Sequence, residues 1–105
     1  MAWIVDFHSA ARLEAVAQPF DIRARLERFV GIMEAHGLSN LPPKAVKHLQ
    51  GELWELRLTG RDGTARALYV TRSGRRLVIV RVFSKKAEKT PSRELELALK
   101  RAKEF

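Results

Sequence analysis

From Leu53 to Phe83 the chain takes on a period of two: LWELRLT, ARALYVTR and RLVIVRVF alternate their side chains and are joined by GRDG and SG. A period of two sends successive side chains to opposite faces of a strand, and short glycine-containing connectors favour tight hairpins. The three segments predict an antiparallel meander. Everything else in the chain must then cover one face of it or the other.

Register decides which residues share a face. With GRDG as a four-residue loop, Thr59 opposes Thr64 and Arg57 opposes Arg66; with SG as a two-residue loop, Arg72 opposes Arg75 and Arg66 opposes Arg81. Arg57, Arg66 and Arg81 then form a row on one face, together with Leu68, Val70, Leu77, Ile79 and Phe83. The other face carries Trp54, Leu56, Leu58, Ala65, Ala67, Tyr69, Val78, Val80 and Val82. A one-residue slip in either loop would push an arginine among those apolar groups, so the pattern itself supports this register.

The flanking segments supply the cover. Trp3, Val5 and Phe7 alternate with Ile4, Asp6 and His8 as a short first strand, and Ser9 is positioned to cap a helix running to Ala17, closed by Pro19. Asp21 caps a second helix in which Ile22, Leu26, Phe29 and Met33 recur at helical spacing before Gly37. This helical hairpin fits the apolar face, with LSNLPPK leading into the sheet. Thr90 as N-cap and Pro91 at the first helical position open a last helix whose Leu95, Ala98, Leu99, Ala102 and Phe105 share a face and cover one end of the arginine side. The expectation is one α+β domain over residues 1–105: a strand, an N-terminal helical hairpin packed on an antiparallel sheet, a three-strand meander and a C-terminal helix.

Charge separates the two halves. Residues 1–40 hold four arginines against five acids, a net of −1, whereas residues 41–105 hold sixteen basic against seven acidic side chains, a net of +9. Concentrating the positive field in the half that forms the sheet is the footprint of a surface for a polyanion such as nucleic acid. Lys85, Lys86 and Lys89 follow the last strand, in FSKKAEKTP, where the end of a buried strand fixes Lys85 and Lys86 at the rim of the arginine row. The apolar residues among the cations suit stacked bases on a phosphate chain.

Other classes recede. Without cysteine there is no disulfide framework and no thiol nucleophile or ligand. His8, His36 and His48 show no ligand spacing, so no metal and no cofactor are assigned. The start MAWIVDFHSA lacks a basic segment followed by a long apolar run, and no stretch is apolar for long enough to cross a bilayer, so a soluble cytoplasmic protein with no membrane partner is expected.

The segments KAVKHLQGELWELRL, ARALYV and VFSKKAEKTPSRELELALKRA resemble RelE/HigB-type toxins of type II toxin–antitoxin systems, especially their phage-derived branch. The resembling pattern is K-x-L-x-G-x-L-W-E-L-R, R-x-x-Y, F-x-K-K-x-x-K-T-P and a helix beginning E-x-x-x-A. It is specific from Lys44 to Ala102, while the N-terminal helices match in layout only. The resemblance implies a small α+β toxin that cuts messenger RNA in the ribosomal A site, and a cognate antitoxin that is often a helix-turn-helix protein. It implies Arg66 as the firmest site residue, at the head of R-x-x-Y, with Arg57 and Lys85 holding phosphate and Lys44, Lys47, Arg81, Lys86 and Lys89 along the RNA.

The resemblance is incomplete where a general base and acid are needed. Relatives often carry His or Tyr near the end of the last strand or in the tail; here the chain has Val82-Phe83-Ser84, and Phe105 at its end. Lys47, His48 or Lys85 are left for those roles, or charge stabilisation and positioning with the ribosome's help. Simpler readings stand beside these. Trp54 and Tyr69 fit a core, Glu55 fits a salt bridge to a neighbouring arginine, and Lys100, Arg101 and Lys103 fit the negative end of a helix dipole. Arg72, Arg75 and Arg76 flank a hairpin and fit either solvent or RNA. Three functions are therefore open: a ribosome-dependent endoribonuclease toxin, an RNA- or ribosome-binding module without cleavage, or a phage or mobile-element protein whose basic face binds a protein.

Overall fold

The computed structural model describes residues 3–85 and 89–105. Strand β1 (Ile4–Phe7) leads into helices α1 (Ser9–Val16) and α2 (Phe20–His36), two 3₁₀ turns (Leu38–Asn40 and Pro43–Ala45), strands β2 (Val46–His48), β3 (Trp54–Gly60), β4 (Gly63–Arg72) and β5 (Arg76–Lys85), and helix α3 (Ser92–Ala102). The five strands form one sheet in the order β1-β5-β4-β3-β2. The meander and the three helices are as the periodicity predicts. β2 is an addition: three residues pair with the start of β3, Lys47 facing Glu55 and His48 facing Trp54. β1 pairs parallel to β5, a long-range contact that no local pattern encodes.

The helical hairpin buries the residues its spacing selects. Ile22, Leu26, Phe29 and Met33 sit on Ala11, Leu56, Leu58, Ala65, Ala67, Tyr69 and Val82, and Trp3, Val5 and Phe7 of the first strand segment pack on the same side. A second core lies on the other face, where Ala98 and Ala102 of α3 meet Leu53, Leu68, Val70, Val78, Val80 and Phe83, flanked by Leu95 and Leu99. Both faces of the sheet are therefore covered.

Several boundaries differ from expectation. His8 caps α1, its Nδ1 accepting from Ala10 N, and Ser9 is already helical. Pro19 is the N-cap of α2, while Asp21 in its first turn accepts from Arg61 N at 2.6 Å and ties the helix to the β3–β4 turn. Gly37, at φ 83°, ends α2 as predicted. Pro91 takes the N-cap of α3, releasing the Thr90 side chain for another contact. Trp54 belongs to the sheet edge: it is 37% exposed and its ring lies 4.8 Å from that of His48.

The β3–β4 register agrees with the reading of GRDG, with Thr59 opposite Thr64 and Arg57 opposite Arg66. The β4–β5 register does not agree with that of SG. Arg72 pairs with Arg76, so the turn is Ser73-Gly74-Arg75, with Gly74 and Arg75 both in the left-handed region at φ 78° and 57°. That slip turns Leu77 and Ile79, rather than Val78 and Val80, toward the helical hairpin. Continued unbroken, it would drive Arg81 into the same core. A β-bulge prevents this: pairing jumps from Tyr69–Ile79 to Leu68–Arg81, Val80 becomes the extra residue, and Val82 and Phe83 regain the faces expected of them.

Candidate active site

Four side chains from three strands and the approach to α3 meet on the α3 side of the sheet. Strand parity sends Glu55 of β3 and Arg66 of β4 to this face, and Lys85 ends β5 opposite Thr64. Arg66 Nη1 lies 3.7 Å from Glu55 Oε2. Lys85 Nζ donates to Thr90 Oγ1 at 3.1 Å, and the Thr90 hydroxyl donates to Glu55 Oε1 at 2.8 Å. Relative exposures are 1% for Glu55, 4% for Arg66, 7% for Thr90 and 8% for Lys85. Buried charges persist when paired and hydrogen-bonded. This chain of contacts supplies such pairing for Glu55, Arg66 and Lys85.

Lys47 and Arg57 join from the exposed side, Lys47 opposite Glu55 across β2–β3 and Arg57 opposite Arg66 across β3–β4. Burial, with the Arg66, Lys47 and Arg57 charges, holds the Lys85 ammonium below its usual value, and Glu55 opposes that effect. Four cations around one carboxylate leave an excess of positive charge in a partly desolvated place. Such a site favours an anion, above all one that gains charge during a reaction.

The remaining basic residues divide. Arg81 does not oppose Arg66; it pairs with Leu68, and its guanidinium is held by Glu14 of α1 and Glu94 of α3. Arg101 reaches the same Glu14 and the Val80 carbonyl, so it bolts α3 to the sheet rather than decorating the helix end. Arg72 holds Glu52 and the Ala102 and Phe105 carbonyls, and Arg76 holds Asp6. His48 lies on the opposite parity from Lys47, its Nε2 donating to Gly51 O at 2.8 Å, away from the buried cluster. Lys44 is exposed in the second 3₁₀ turn, Lys89 is exposed just before Thr90, and Lys86 lies outside the described residues. Tyr69 is core, and burial pushes its hydroxyl up to about 12.

Sequence reasoning gave Glu55 as the salt-bridge partner of a neighbouring arginine, which it is for Arg66, and left only Thr90 unread as a member of the site. Glu55 has the same i, i+2 parity as Arg57, which already placed it on the arginine face and marked it as the natural counter-ion. Thr90 carried no such signal, because a Thr-Pro pair before a helix reads as a cap.

A family model described as "Phage derived protein Gp49-like" matches residues 14–103. Among solved structures, a mutant of Escherichia coli toxin RelE in the free state has a TM-score of 0.67 at 20% identity, covering 96% of this chain and 98% of that one. A chain of the archaeal RelE–RelB complex from Pyrococcus horikoshii OT3 has a TM-score of 0.56 at 19% identity, covering 80% of this chain and 96% of that one. No curated protein matches the sequence. The family match takes in the sheet from β2 to β5, the buried cluster and all of α3, and the structural matches give the architecture that carries them: the chain belongs to the phage-derived Gp49-like family and has the RelE fold.

Proposed function

We propose that this protein is the toxin of a type II toxin–antitoxin pair, an endoribonuclease that cuts messenger RNA in the ribosomal A site. The observation that carries the reading is the buried Glu55–Arg66 and Lys85–Thr90 arrangement with Arg57 across from it. The site is built before any substrate arrives, and its charge excess suits a phosphate passing through a more negative state. In the reaction the ribose 2′-hydroxyl attacks the adjacent phosphorus; the O2′–P bond forms, the P–O5′ bond breaks, and the products end in a 2′,3′-cyclic phosphate and a 5′-hydroxyl. One proton leaves O2′ and one must reach O5′.

Arg66 and Arg57 are the groups for the phosphorane charge, with donors suited to paired oxygens. Lys85, with its ammonium poised below its usual value, is the group within the cluster that can exchange a proton near that phosphate. Lys47 is the neighbouring alternative. Because His48 lies away from the cluster, a second reading also has an observation behind it: the same surface binding RNA or ribosomes without cutting. The partner is a cognate antitoxin, a helix-turn-helix protein with an acidic or amphipathic segment complementary to the basic half, and the place of action is the cytoplasm.

Primer extension on messenger RNA after a short induction, with wild-type protein and Arg66→Ala, tests this. Wild type should arrest growth and generate new 5′ ends inside translated frames. Removing a well-placed stabiliser of transition-state charge lowers the rate about a hundredfold, which should abolish both effects while thermal melts show a folded protein. Growth arrest without new 5′ ends would favour the binding module. Full toxicity in folded Arg66→Ala would remove the proposed site.

A further inference from the structure

The arginines that hold the fold are recognisable by their carboxylates: Arg72 takes Glu52, Arg76 takes Asp6, Arg81 takes Glu14 and Glu94, and Arg101 takes Glu14. Arg25, Lys44 and Arg57 are different. No carboxylate among the described residues lies within ion-pair distance of any of them, yet the fold gathers the three around one cleft of about 280 Å³ with Phe29, Pro42, Ala45 and Thr59. Helical spacing places Arg25 one turn before Phe29, and Phe29 is fixed in the core between α2 and the sheet. Lys44 comes from the 3₁₀ turn Pro43–Ala45, which packs beside β3. Arg57 sits just past the last β2–β3 pair, Val46–Leu56, where β2 no longer covers the edge of β3.

Gathering three like charges costs free energy that no carboxylate among the described residues repays, so the arrangement fits an anion that arrives from outside. The lining narrows the kind of anion. Cations beside an aromatic ring, a proline and a hydroxyl suit a sugar–phosphate unit better than a bare ion. The volume is slightly below the ~300–1,000 Å³ of clefts that enclose whole drug-sized ligands. That is room for one unit of a chain that continues elsewhere. Arg57 supplies the continuity, since it both lines this cleft and faces Arg66 across the strand pair.

We propose that Arg25, Lys44 and Arg57 form a subsite for one phosphate and ribose of single-stranded RNA, next in line to the Arg66–Lys85 centre. The inference rests on the RNA-directed reading above and deepens it: the strand enters or leaves along the α2 side of β3. Arg25 thereby becomes part of the RNA surface, although it lies in the half of the chain whose net charge is slightly negative.

The test is fluorescence anisotropy with a short labelled single-stranded RNA, 2′-O-methylated to block cleavage, titrated at several salt concentrations. Arg25→Ala and Lys44→Ala should each weaken binding about tenfold at low salt and reduce the slope of log affinity against log salt by about 0.7. Arg25→Lys should restore most of that slope. Lys103→Ala, an exposed charge at the end of α3, is the matched control and should leave it nearly unchanged. Wild-type slope and affinity in both alanine variants would overturn the subsite. If Arg25→Ala weakened an antitoxin complex instead, with RNA binding intact, the cleft would belong to a protein partner and the proposal would fall. Wild type that bound RNA without salt dependence would remove both this subsite and the RNA reading; a changed slope alongside fully toxic Arg66→Ala would keep the subsite and remove the cleavage centre.

Discussion

Arg66 Nη1 lies 3.7 Å from Glu55 Oε2 between two side chains that are both almost wholly buried. A carboxylate in this position does two things at once: it makes a buried guanidinium tolerable, and through Thr90 it fixes where Lys85 stands. Its place in the structure is therefore that of a counter-ion that positions cations.

Glu55→Gln keeps the shape and removes the charge. The variant leaves Arg66 and Lys85 buried with less compensation, and should lose roughly 2–4 kcal/mol of unfolding free energy. Urea unfolding monitored by circular dichroism measures this. Toxicity should fall even at temperatures where the variant is fully folded, because Arg66 and Lys85 no longer have their anchor. Wild-type stability in Glu55→Gln would show that the carboxylate is dispensable to the cluster.

A second carboxylate makes a pH prediction. Burial pushes Glu14 up, but hydrogen bonds from Arg101 and Val82 N and the charge of Arg81 more than offset this and hold it below its ordinary 4.5. The unfolded chain then takes up the proton first as pH falls. Glu14 thus contributes stability that is fully present above about pH 4.5 and is lost as pH drops through its lower folded value. Glu14→Gln should be less stable than wild type by roughly 1–3 kcal/mol at neutral pH, with the gap narrowing below pH 4.5. Thermal melts across that range decide it; a gap independent of pH would assign the effect to packing.

What the sequence made legible follows how local each determinant is. The pairing of Arg57 with Arg66 was readable because the glycines of GRDG bracket a short connector, and Ile22, Leu26, Phe29 and Met33 were readable because one helix carries their whole period. The β4–β5 pairing was not, since Arg75 adopts a left-handed conformation against its propensity and the compensating bulge at Val80 is set by what Arg81 must avoid. The row of three arginines dissolved for the same reason. Glu14 and Glu94 come from helices on opposite sides of the sheet, and nothing in the local sequence announces that they will close on Arg81. β2 escaped notice because VKH is too short for a period to show.

Thr90 offers the most economical test of whether the segment after β5 is part of the site. Its hydroxyl accepts from Lys85 Nζ and donates to Glu55, and the residue is buried, so two hydrogen bonds to charged groups pass through one oxygen. Thr90→Val preserves the branched shape and removes that oxygen; Thr90→Ser keeps the oxygen and removes a methyl group. Losing the oxygen should cost roughly 1–3 kcal/mol of stability, whereas losing a buried methyl should cost about 1 kcal/mol. Function should separate the pair further. With valine, the Lys85 ammonium loses its hydrogen bond to Thr90, so in the proposed reaction cleavage and growth arrest should weaken by about tenfold or more while salt-dependent RNA affinity changes little. With serine, both should stay near wild type. The measurement is cleavage in a reconstituted translation system at a temperature where all three proteins are folded. Equal activity in the valine and serine variants would mean that Lys85 does not depend on Thr90 for its position, and Thr90 would then be a structural link between β3 and the start of α3.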